Sequence, residues 1–171
     1  MANPKTTLTD NKNFLQPTGF KISIDRTKYG NLEYFCNNVV HPGATVGSLE
    51  IPIPRLAGLP IAGDKIQFPE LSVDVLLDED MKSYQEMQEW MERLVEKDDF
   101  DMVSTQARES NHTSDITLTI LSSHNNKNVQ IRYADCFPTQ LGSITLQSNT
   151  SAVEYPTFNI SFRFTSYEFI T

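Results

Sequence analysis

The residues able to do chemistry are few and poorly grouped. His41, His112 and His124 fall in segments without a hydrophobic period, and none is spaced with another histidine, a cysteine or an acid as zinc ligands are. They read as surface or turn residues. Cys36 and Cys136 have no CxxC spacing and no histidine close by, so they read as small buried hydrophobes rather than a disulfide or a redox pair. Serines are plentiful, yet the chain has no GxSxG elbow and no GxxxxGK[ST] or GxGxxG loop. Asp78, Glu79 and Asp80 could hold a divalent cation, but the glycine and terminal glutamate of an EF-hand loop are missing, and the same acids suit a helix N-terminus. Glu86 and Glu89 share a polar helix face with Lys82 and Arg93 and read as solvated surface. The expectation is a structural protein rather than an enzyme, with no catalytic, cofactor or metal site.

The frame that would have to position any site is a single domain. The chain has 171 residues, 39% of them hydrophobic and 21% charged, which is enough apolar material for a core without metals or disulfides. Fourteen Lys plus Arg stand against 22 Asp plus Glu, a net charge of -8, and no basic run is present to neutralise a phosphate backbone. Tight nucleic-acid binding is therefore not expected. No stretch approaches the roughly 20 consecutive apolar residues of a membrane span, and the polar start does not resemble a secretion signal, so a cytosolic setting is expected.

Alternation of apolar and polar residues predicts a mainly β fold with one helix. Residues 1–18 read as a flexible arm, with one domain over 19–171. Phe20, Ile22 and Ile24 share a face, and a Tyr29-Gly30-Asn31 turn predicts a hairpin with 32–37. Residues 38–60 hold Pro42, Pro52, Pro54 and Pro60 together with Gly43, Gly47 and Gly58, which excludes an ordinary central strand. Yet Leu49, Ile51 and Ile53 alternate with Glu50, Pro52 and Pro54, so the segment is expected to be an extended contact arm with one apolar face. The alternative is an Ω-like loop packed on its own domain.

Strands are predicted over 65–68 and 71–77. From Met81 a helix should pack through Tyr84, Met87, Trp90, Met91, Leu94 and Val95. Residues 98–115 read as loop. Ile116, Leu118 and Ile120 form a second hairpin with Val129, Ile131 and Tyr133 around a turn at 124–127; Pro138 breaks the chain, Ile144 and Leu146 resume it, and Phe158 to Phe164 close it. Thr117, Thr119, Gln130, Arg132, Asn159, Ser161 and Arg163 fall on the opposite, polar side, a wetted wall rather than a pocket. Strands of this kind leave open edges, which self-pairing into a closed ring would remove.

Several pieces, taken in order, resemble the tail tube proteins of contractile-tailed bacteriophages. They are Phe20-Lys21-Ile22-Ser23-Ile24, Tyr34-Phe35-Cys36, His41-Pro42-Gly43, Ile61-Ala62-Gly63-Asp64, the 71–77 strand, Asp78-Glu79 before the helix with Trp90, Phe137-Pro138-Thr139-Gln140-Leu141-Gly142, and Pro156-Thr157-Phe158 through Tyr167-Glu168. The resemblance implies a β sandwich with one helix, closing into hexameric rings around a large β-barrel and stacking into a hollow conduit for the genome. It implies that the polar sheet face lines the lumen and that the proline-rich arm docks on the adjacent ring. An acidic lumen would let DNA slide without sticking. Implied partners are further copies of the chain, the tail sheath protein, a baseplate tube initiator, and tape measure and tail terminator proteins, without a membrane anchor. The implied setting is the virion tail, assembled in the host bacterial cytoplasm. The same fold serves baseplate initiators and type VI secretion tubes, which are alternative stations. A monomeric β-sandwich binding module that uses the 38–60 loop is the reading from another class.

Overall fold

The computed structural model describes residues 14–24, 35–52, 58–95, 113–148 and 155–170. The predicted 29–31 turn, Ile53, Pro54, His112 and most of the 1–18 arm and of the 98–115 loop lie outside them. Among the described residues the elements follow in order: β1 (Phe20–Ser23), β2 (Cys36–Val40), β3 (Thr45–Ile51), β4 (Leu59–Gln67), β5 (Leu71–Leu76), α1 (Lys82–Val95), β6 (Ser114–Leu121), β7 (Lys127–Leu141), β8 (Thr157–Arg163) and β9 (Ser166–Ile170). Seven strands make one antiparallel sheet in the order β1-β6-β7-β8-β5-β2, with β9 also paired to β7, while β3 and β4 form a separate two-stranded ribbon.

Alternation explains how this sheet closes around a core. Leu71, Val73 and Val75 on β5 and Phe158, Ile160 and Phe162 on β8 are buried, with Ser72, Asp74, Asn159 and Ser161 between them only partly so. Ile116 and Leu118 on β6 and Ile131 and Tyr133 on β7 do the same in the other half. β7 belongs to both halves. Its buried residues are 131 and 133, then 136 and 138, so its inward-facing parity changes between them. The change falls where Asp135 takes a positive φ of 55° and the register with β6 shifts. This bulge inserts one residue, bends the strand and lets both halves face the same core. Asp115 holds it, accepting from the Asp135 backbone N–H at 3.2 Å.

The helix covers the inward face of β8. The Trp90 ring lies 5.8 Å from that of Phe162, and Tyr84 meets Phe158 edge-on at 5.3 Å. Met87 and Trp90 are fully buried, Tyr84 and Leu94 pack at the margin, and Met91 is half-buried. Val95, expected on this face, is 80% exposed. Asp78 caps the helix, accepting from the Lys82 N–H at 2.8 Å and the Ser83 N–H at 3.1 Å and taking the hydroxyl of the fully buried Ser83 as well. The helix starts one residue later than expected because Met81 sits at a φ of 55°, outside the helical region.

Several expectations fail for tertiary reasons. β1 and β2 are not a hairpin: β1 pairs with β6 and β2 with β5, because each apolar face needs a partner that shares the core. Pro138 does not break the chain but lies inside β7 opposite Phe162, at a register shift that accommodates its missing N–H. Ile144 packs on the core, yet Leu146 is exposed and residues 142–148 form no strand. The 65–68 strand is the end of the longer β4, and β9 was not expected at all, although Tyr167 and Phe169 alternate with Ser166 and Glu168.

Candidate assembly surfaces

The proline-rich segment is neither a single extended arm nor a loop packed on its own domain. It supplies β3 of an antiparallel ribbon in which every residue of both strands is exposed. Leu49 lies opposite Ile61 and Ile51 opposite Leu59, and directly opposed residues share a face. These four are 65%, 43%, 43% and 51% exposed. Glu50 and Pro60, and Ser48 and Ala62, make the other face. Pro52, exposed, ends the described part of this strand. Pro60 is tolerated because a two-stranded ribbon has an open edge on each side. Where the register shifts, Gly63 approaches so closely that a Cβ there would stand 2.6 Å from the Gly47 carbonyl oxygen.

Aromatic packing anchors both roots of the ribbon. His41 precedes β3 and Phe68 follows β4, and the Tyr167 ring on β9 stands 5.2 Å from the first and 5.1 Å from the second, near edge-on to both. His41 Nδ1 and the Tyr133 hydroxyl are 2.6 Å apart. Burial lowers the His41 pKa from 6.5 and raises that of the Tyr133 phenol, so both are neutral near pH 7 and share one hydrogen bond. This contact was not legible in sequence, where the histidine stands alone. His124 does occupy the expected turn, whose Asn125 has a φ of 58°.

The polar residues split between two faces. Thr117, Thr119, Gln130 and Arg132 lie on the outside of the β1-β6-β7-β9 half. Thr119 is buried there, accepting from Gln130 Nε2 at 3.0 Å. Arg132 donates from both Nε and Nη2 to one oxygen of Asp115 and lies 3.7 Å from Glu168. Asn159, Ser161 and Arg163 belong to the outside of the β7-β8-β5-β2 half. Here Asn159 Nδ2 donates to Ser72 Oγ at 2.7 Å and to Asp74 Oδ1 at 2.6 Å, and Asn38 Nδ2 donates to Asp74 Oδ2 at 2.9 Å. One side-chain ladder thus crosses β2, β5 and β8.

Among the described residues no group of three or more metal-ligating side chains forms a site. Cys36 and Cys136 are both free, and burial pushes each thiol up to about 12, far from the reactive thiolate range. No described helix is long and apolar enough to cross a membrane. Among the described residues the surfaces are an exposed apolar ribbon, sheet edges paired on one side only and polar sheet walls.

Those features define a mainly β protein with an exposed apolar ribbon, and comparison with known proteins gives its family. The family model described as phage tail tube protein matches residues 5–170, and the chain belongs to that family. It is a structural subunit of a tail tube. No curated protein sequence matches it. Its fold is similar to that of the anti-feeding prophage cap, a tube terminating cap, with a TM-score of 0.65 and 12% identity over 99% of each chain. It is similar as well to a chain of the PVC extracellular contractile injection system sheath/tube terminator in the extended state, with a TM-score of 0.62 and 12% identity over 94% of this chain and 100% of that one. A chain of the PVC sheath-tube complex follows, with a TM-score of 0.59 and 11% identity over 93% of each.

Proposed function

We propose that this tail tube subunit closes into hexameric rings through its open sheet edges and that the rings stack through the β3–β4 ribbon. The observation that carries this reading is the apolar face of Leu49, Ile51, Leu59 and Ile61, which no described residue buries. Fully burying an aliphatic side chain is worth about 1.5–3 kcal/mol, so covering four of them is a substantial drive to associate. Ile53, Pro52 and Pro54 belong to the same contact arm in this reading.

Ring closure uses β2 and the 137–141 stretch of β7. Each pairs on one side only among the described residues, and the two run in opposite directions, so one copy continues the antiparallel sheet of the next. The face with Asn159, Ser161 and Arg163 then lines the bore. Both Asn159 amide N–H groups and one of those of Asn38 are committed to Ser72 and Asp74, which leaves fewer amide donors beside Arg163 toward a passing phosphate chain. The Thr117, Thr119, Gln130 and Arg132 face turns away from the bore. DNA passes without tight binding, and the protein performs no catalysis.

The sheath protein, a baseplate tube initiator, a tape measure and a tail terminator complete the tail in this reading, with assembly in the host bacterial cytoplasm. Negative-stain electron microscopy of the purified protein is expected to show rings and tubes. A strictly monomeric species at every concentration and salt would overturn the proposal. Leu49→Lys with Ile51→Lys should leave the circular dichroism of the folded chain intact and abolish stacking.

A further inference from the structure

A ribbon that docks head to tail needs a receiving surface different from itself, because a self-complementary patch would give a closed pair instead of an open stack. The register shows which end of the sheet the ribbon leaves. Val40 at the end of β2 pairs with Ser72 near the start of β5, so residues 41–44 and 68–70 carry the chain into and out of the ribbon at that end. Seven residues of β3 reach about 20 Å at ~3.3 Å per residue.

The opposite end of the same half-sheet is marked by Cys36 opposite Val75 and by Leu76 opposite Thr157. Tyr155 stands in solvent there, and Leu146 stands in solvent five residues past the strand that runs toward it. Tyr155, 75% exposed, comes two residues before β8, and the adjacent Pro156 carbonyl accepts from the Leu77 N–H at 2.9 Å. Leu146, 77% exposed, follows the exit of β7, which heads toward this end with Gly142 N–H donating to the Asn159 carbonyl at 2.7 Å. The chain therefore carries an exposed apolar ribbon at one end of the half-sheet and an exposed Tyr155 at the other, with exposed Leu146 beyond β7, and no described residue buries either set.

We infer that Tyr155 and Leu146 form the acceptor for the Leu49, Ile51, Leu59 and Ile61 face of a second copy in the adjacent ring. This rests on the stacking reading above and assigns its missing half. Tyrosine suits the role, since it offers a large apolar ring with little side-chain entropy to lose and a hydroxyl for the wetter rim.

The test is complementation between variant rings. Tyr155→Lys with Leu146→Lys should fold and close rings, both positions being mostly in water, but should not stack. Leu49→Lys with Ile51→Lys should behave the same way alone. Mixed, the two are expected to give stacks of two rings and nothing longer, because one variant keeps a working ribbon and the other a working acceptor. Tubes of ordinary length from the Tyr155/Leu146 variant, or single rings only in the mixture, would overturn the assignment. If the unaltered protein forms no rings at all, the assembly reading falls, and the acceptor with it. A milder Tyr155→Ser with Leu146→Ser guards against misfolding, and should shorten tubes at least tenfold.

A disulfide gives an independent readout. With an added disulfide oxidant such as oxidised glutathione, which takes up the two electrons, Leu49→Cys mixed with Tyr155→Cys should yield a cross-link between copies on a non-reducing gel, while the native thiols, held near 12, stay out of the exchange near pH 8. No cross-link in preparations that do form tubes would count against the contact.

Discussion

Asp78 shows how much a single side chain settles at the residue scale. Burial alone would raise its pKa, but hydrogen bonds from the Ser83 hydroxyl and the Lys82 and Ser83 amides outweigh this and hold it below 3.8. Asp115 is held low chiefly by the Arg132 guanidinium, helped by the Asp135 amide. A carboxylate whose folded pKa is depressed contributes stability that is present above its unfolded pKa and lost as pH falls through the folded value. Urea unfolding should therefore show stability falling as pH drops from about 5 to below 3.8, and Asp78→Asn and Asp115→Asn should each flatten that slope. Asp78→Ala should cost about 1–2 kcal/mol in the same assay near pH 7, toward the upper figure because it leaves the buried Ser83 hydroxyl without its acceptor. The cap itself was legible, since acids before an amphipathic run announce a helix start. The Asp115 contact to a bulge twenty residues on was not, since no local pattern points to it.

At the scale of elements, the ribbon and the helix should respond to mutation in different ways. Gly63→Ala places a methyl against the Gly47 backbone, where no flexible side chain can yield, so the ribbon must open or shift. Hydrogen exchange of β3 and β4 amides should accelerate while the melting temperature of the core barely moves, because the ribbon buries none of it. Trp90→Ala should instead cost about 3–5 kcal/mol in global stability, because the indole is buried against Phe162. The helix was readable because its apolar residues recur at helical spacing. The ribbon was half readable: Leu49 and Ile51 marked an extended segment and 65–68 gave the end of β4, while Pro60 and Gly63 concealed where β4 begins. Proline and glycine speak against a central strand, not against a ribbon with two open edges.

For the whole molecule, the net charge of -8 and the satisfied polar ladder lead to one more expected outcome. Fluorescence anisotropy with labelled duplex DNA at low salt should detect no appreciable binding by the assembled protein. A salt-sensitive micromolar affinity would contradict a repulsive conduit, because it would mean that several phosphates are neutralised on contact. The aromatic cluster of His41, Phe68 and Tyr167 belongs to this scale as well, since it ties a protruding ribbon to the body that must present it.

By itself the sequence determined the class, the strands with strict alternation, the capped helix, the lack of a recognisable catalytic motif and the family. Each of these is written in local composition, in a short period or in a run of ordered motifs. Only the tertiary structure decided that β1 and β2 seek different partners, that the polar residues lie on two walls instead of one, and that the proline-rich arm is half of an exposed ribbon. A period of two tells which residues share a side of a strand. It does not tell which strand lies alongside, or where a bulge such as that at Asp135 turns one sheet into two facing halves.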